Sequence, residues 1–98
     1  MIHEANIDAA TFERIGREEL RAIVRSSDVD YQSGDNLRLF RADRWGGRDT
    51  YYVDRDEKGR FASEYRPYDP IFTVITHVQR TPELVDGKVL LSLHVQSA

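Results

Sequence analysis

Arg21 and Arg25 stand four residues apart in the segment Leu20-Arg21-Ala22-Ile23-Val24-Arg25. In a strand both would share a face with Ile23, about 13 Å apart at roughly 3.3 Å per residue. Ile23 carries no charge, so neither guanidinium is neutralised within its own strand. Two such groups beside a cleft favour an anion such as phosphate, held by charge-assisted hydrogen bonds. The competing reading is structural: Asp28, Asp30 or Asp35 pairs with the two arginines, Asp35 caps the turn after Gly34, and Ile23 is a core contact at a barrel bend.

A second group is Arg38, Arg41, Arg44, Trp45 and Arg48, a basic stretch with one aromatic. Trp and Tyr stack on unpaired bases, each stack contributing about 1–3 kcal/mol, and Tyr31, Tyr51 and Tyr52 extend the set. The plainer reading is favoured here: Trp45 covers the barrel and the arginines are solvated hairpin residues. His3, His77 and His94 are far apart in sequence, and a metal site would need them to converge with carboxylates. Cysteine is absent, which excludes disulfides and cysteine–zinc sites. Neither a Gly-rich phosphate loop nor a Ser-His-Asp pattern occurs. No cofactor or metal is expected.

Composition bounds the rest. A length of 98 residues argues for one domain. With 40% hydrophobic and 32% charged residues, the chain can fold around one core under a well-solvated surface. No apolar run reaches the roughly 20 residues of a membrane span, and Met1-Ile2-His3-Glu4 does not resemble a signal peptide. A cytoplasmic location without membrane contact is the simplest expectation. The net charge of -3 argues against a general electrostatic grip on nucleic acid. Its distribution is uneven: residues 1–35 hold four Arg against eight acids, and residues 36–66 hold seven Arg and one Lys against six. Arg is the better bidentate partner for phosphate, although a GC-rich genome produces the same bias.

The elements that must position these residues are mostly short. Ile2 to Ile7 reads as extended. Asp8 reads as the N-cap of one helix over about 9–16, with Phe12 and Ile15 on its apolar face and Gly16 as the stop. Leu20 to Arg25 is a strand whose inner face is Leu20, Ala22 and Val24. Leu37 to Ala42 is the next strand. Residues 43–70 read as an extended hairpin, with strands at Thr50–Val53 and Phe61–Tyr65 and a tip at Asp56–Gly59. Ile71 to Gln79 is a β-branched strand. Thr81 to Leu84 is one helical turn and Asp86-Gly87 a tight turn. In the last strand Val89, Leu91, Leu93 and Val95 point one way. This pattern predicts an α+β, β-rich fold, a small barrel with a helix across it.

Two stretches carry a family resemblance. One runs from Arg21 through Arg25, Asp28, Asp30, Tyr31 and Gly34-Asp35 into the strand Asn36-Leu37-Arg38-Leu39-Phe40. The other runs from Ile75-Thr76-His77-Val78-Gln79-Arg80 to Thr81-Pro82-Glu83-Leu84 and from Asp86-Gly87 through Leu93. With His3 and the Phe12 helix, they resemble ASCH-like domains of the PUA-like superfamily, especially a small branch of obscure function from bacteria and phages. Residues 43–70 match only loosely.

The resemblance implies a PUA-like β-barrel with a cleft beside the first helix. It also implies kinship with RNA-binding domains, a proposed ribonuclease, and amidohydrolases that deacetylate modified cytidine. The catalytic members use a Lys, a Thr and a Glu. The Lys position falls near Leu20 and the Thr position near Ile23, where the obscure branch usually has Glu. Neither Leu20 nor Ile23 can act as nucleophile or base. Glu18, Glu19 or Thr11 would have to substitute, and the only lysines, Lys58 and Lys88, fall at turns. The expected function is a non-catalytic module binding RNA or a nucleotide-like anion through Arg21, Arg25, Asp28, Tyr31, Asp35, Arg41 and Trp45. The alternatives are a hydrolase acting on a modified nucleoside or RNA, and a phage-type protein-binding module that blocks a host factor.

Overall fold

Residues 1–80 and 87–96 are described by the structure, a computed structural model. The expected helical turn at Thr81–Leu84 and Asp86 of the expected tight turn lie outside these residues. The elements run β1 (Ile2–Ile7), α1 (Ala9–Gly16), β2 (Ala22–Ser26), β3 (Asn36–Arg41), β4 (Thr50–Arg55), β5 (Phe61–Pro67), β6 (Ile71–Gln79) and β7 (Lys88–Val95).

Five strands form one sheet in the order β1-β3-β6-β7-β2. The β1–β3 pair is parallel and the other neighbours are antiparallel. The sheet curls into a half-barrel with α1 packed on its inner side. Its core is Ala5, Ile7, Ile15, Ile23, Tyr31, Leu37, Leu39, Ile75, Val89, Leu91 and Leu93. The alternation of β7 produces its share directly: Val89, Leu91 and Leu93 face inward, and His94 is exposed.

The inner face of β2 is the reverse of the expectation. Ile23 is buried and Val24 is 54% exposed. Ile23 pairs with the fully buried Leu91 of β7, and directly paired residues share a face. The inward face of this strand is therefore the one that carries Arg25. Local counting favoured three apolar residues over one, but the pairing partner decided the matter.

Asp8 caps α1 as expected, its Oδ2 accepting the Thr11 N–H at 3.0 Å. Gly16 does not terminate the helix through a left-handed conformation. It is the last helical residue, and a Cβ there would come 3.4 Å from Ile71 Cδ1. The left-handed position is Glu18, at φ 60°. Its N–H reaches the Ile15 carbonyl and the Glu19 N–H the Arg14 carbonyl, both at 2.9 Å, the paired bonds of a Schellman ending.

Strands β4 and β5 form a separate two-stranded sheet. This arm leaves the body and gives the chain a long axis of 54 Å. The radius of gyration is 15.7 Å, against about 13 Å for a compact domain of this length. Arg41 fixes the root of the arm. It pairs with Glu13 of α1 at 3.0 Å and with Asp49 at 3.2 Å, and its guanidinium lies 4.5 Å from the Tyr68 ring centroid.

Candidate functional site

The half-barrel is open between its two end strands, β1 and β2. A cleft of about 420 Å³ lies at that opening. One wall is Asn6 and Ile7 at the end of β1, with Asp8 and Thr11 of the helix start. The other is Leu20 and the run from Ala22 to Arg25. The connection from β1 to α1 is only one residue, Asp8, so the cap that starts the helix also lines the cleft.

Arg25 is the distinctive group. It lies on the inward face of β2 beyond Ile23 and is half-buried. Its Nε is buried and has no hydrogen-bond partner among the described residues. No ion pair joins Arg25 to Asp8 or to any other described acid. A buried donor without a partner costs free energy, about 1–3 kcal/mol, so its retention invites a functional explanation.

The edge of β2 contributes more donors and acceptors. The Leu93 N–H donates to the Arg21 carbonyl at 2.7 Å and the Ser27 N–H to the Gly87 carbonyl at 2.8 Å. In this register Ile23 pairs with Leu91 and Arg25 with Val89. The odd-numbered residues thus direct their backbone groups to β7. The N–H and C=O of Ala22, Val24 and Ser26 point to the open edge.

The remaining expected residues are dispersed. Arg21 precedes β2 and lines a different hollow of about 90 Å³ with Glu18 and His94, so the two arginines do not flank one cleft. Asp28 is exposed in a turn, its N–H bonded to Ser26 Oγ at 3.2 Å. Tyr31 is only 3% exposed, with its ring edge-on to His3 at 4.8 Å. It is a core residue without a free face for stacking. Arg41 is engaged at the root of the arm. Trp45 does not cover the barrel: it is 82% exposed on the turn between β3 and β4.

Asp35 pairs with neither arginine. Its Oδ2 lies 2.7 Å from His3 Nε2 and accepts the Gln32 N–H at 3.2 Å, while Oδ1 lies 3.3 Å from the Met1 ammonium. The parallel pairing of His3 with Leu37 brings this partner across, a tertiary fact with no local signal. Asp30 pairs with Arg80 at 3.7 Å. Sequence reasoning missed Asn6 as a cleft residue and raised Thr11 only as a substitute catalytic group. The one usable hint was the cap at Asp8, which marks where strand and helix meet. Among the described residues no group of three or more His, Cys, Asp or Glu could hold a metal ion. None of the described helices is long and apolar enough to cross a membrane.

Three carboxyls are held below their ordinary range. For Asp35 the main cause is the hydrogen bond from His3. For Asp8 it is hydrogen bonding by Thr11, and for Asp56 the backbone N–H of Arg60. Such a group adds stability once the pH exceeds its unfolded-state value and loses it as the pH falls through the folded value. The urea midpoint is therefore expected to drop as the pH falls below about 4. Asp35→Asn should lower the midpoint at neutral pH and make the acid decline shallower. An equally steep decline in that variant would remove Asp35 from the account.

No family model matches the chain, and no curated protein matches it.

Proposed function

We propose that this domain is a non-catalytic binding module, an ASCH-type member of the PUA-like class, whose cleft takes a nucleotide-like anion, RNA being the polymer that presents it. The observation that carries this reading is Arg25: a guanidinium on the inward face, with a buried Nε that no described residue satisfies, at a cleft large enough for a small ligand. A phosphate in the cleft offers acceptors and a counter-charge to this guanidinium.

The opposite wall makes a nucleotide a better fit than inorganic phosphate. Asp8 offers acceptor oxygens, and a bare phosphate gives them nothing. A nucleotide brings ribose hydroxyls and base amines as donors alongside its phosphate. Asp8 also weighs against hydrolysis. A general base works best with a pKa near the operating pH, and Thr11 moves the Asp8 carboxyl in the other direction. Thr11 itself is tied to this cap rather than activated. Glu18 lines another hollow.

Titration of purified protein with AMP, inorganic phosphate and a short RNA, at low and at physiological salt, tests the reading. Saturable binding of AMP and RNA that weakens with salt, with phosphate weaker than AMP, is expected. No binding of AMP or RNA at low salt would overturn it. Turnover of RNA or acetylcytidine by metal-checked protein would establish the hydrolase instead.

A further inference from the structure

We propose that the ligand is a single polynucleotide strand rather than a lone nucleotide, with one base stacked on Trp45. This rests on the nucleotide reading of the Arg25 cleft and extends it beyond the rim.

Trp45 is 82% exposed, a costly place for the largest aromatic side chain, and it is presented on an ordered turn. Asp43 Oδ1 accepts the N–H of Trp45 at 2.8 Å and that of Gly47 at 2.9 Å. The Asp43 N–H reaches the Gly47 carbonyl at 2.8 Å, and the Gly46 N–H reaches the Asp43 carbonyl at 3.2 Å. Gly46, at φ 85°, supplies the left-handed position that closes the turn. An indole on such a turn is preorganised, which lowers the entropic cost of a contact.

The turn is tied to one wall of the cleft. Asn6 lines the cleft, and its Nδ2 donates to the Gly46 carbonyl at 3.0 Å. A strand held by Arg25 that passes over Asn6 reaches Trp45 next. The charge there is also available. Arg41 is engaged by Glu13 and Asp49, and Arg48 by Glu4 and the Phe40 ring. Arg44 makes no ion pair among the described residues and lies 5.1 Å from the Trp45 ring centroid. An exposed aromatic with an unneutralised arginine beside it is the pairing that holds single strands, base on ring and phosphate on cation.

Trp45 is the only tryptophan, so protein emission reports this contact directly. The titrants are AMP, a hexanucleotide of adenylate, and its deoxy counterpart. The hexanucleotide is expected to quench emission saturably and to bind at least about tenfold tighter than AMP, the scale of one stacked base. Trp45→Ala should remove about that factor for the hexanucleotide and leave AMP affinity unchanged, and Trp45→Phe should restore most of it. Equal response to the ribose and deoxyribose strands supports stacking on any single strand. Response to the ribose strand alone supports it and names RNA. If AMP and the hexanucleotide bind equally with no change in emission, the stacking proposal is overturned while the cleft reading stands. If Arg25→Ala binds all titrants as well as the parent, the cleft reading itself falls.

Discussion

Replacing Arg25 by methionine is expected to raise the unfolding free energy by about 1–2 kcal/mol while it weakens nucleotide binding by tenfold or more. Methionine keeps the length and apolar character of the stem, which shares its strand face with Ile23. It removes the Nε that no described residue satisfies and the charge that the low-dielectric wall disfavours. A side chain present only for the fold would give the opposite result, since its removal would cost stability. The two readouts therefore move in opposite directions only if the guanidinium is kept for a ligand, a trade of stability for function seen at many binding sites. Chemical denaturation and an AMP titration on one protein sample check both. A loss of stability with unchanged binding would make Arg25 a structural residue.

The second large effect lies one position before Val24 on the same strand. Ile23→Ala is expected to cost about 2–5 kcal/mol, a large fraction of the 5–15 kcal/mol typical of a domain. Val24→Ala is expected to change stability by no more than about 0.5 kcal/mol. Ile23 is 7% exposed and packs in the core, whereas Val24 is 54% exposed at the open edge. Urea denaturation of the two variants measures the difference, and comparable losses would mean that the strand presents both faces to the core. Because Ile23 and Arg25 share a face, Ile23→Ala is also expected to weaken AMP binding through loss of the wall that carries Arg25.

What was legible in the sequence depended on how local its cause was. β6 begins and ends where its β-branched run does, and α1 spans the expected 9–16, because caps and periodicity act over a few residues. The face of β2 was not legible. Its alternation is visible, but Leu91 chooses which side is buried, and Leu91 belongs to a strand far along the chain. The same holds for Asp35, whose partner His3 arrives through a parallel pairing, and for Arg21 and Arg25, which line different hollows that spacing along one strand does not show. Trp45 had a visible type and an invisible exposure. Whether an aromatic covers a core is decided by where the β3–β4 turn sits, and that turn is anchored by Asn6 of the neighbouring strand β1.

The pairing of Ala22 with Ser92 also bears on when the site comes into being. β2 is made early, yet its only neighbour in the sheet is β7, whose Ser92 follows Ala22 by 70 residues. Closing so long a loop is entropically unfavourable and slow, so β2 has no docked position until the final strand is in place. During synthesis Arg25 is exposed to water well before it has a cleft to stand in. A nascent chain can fold its hairpin and pair β1, β3 and β6 before that cleft exists. The cleft is thereby a late feature, formed only once residues 88–95 have emerged.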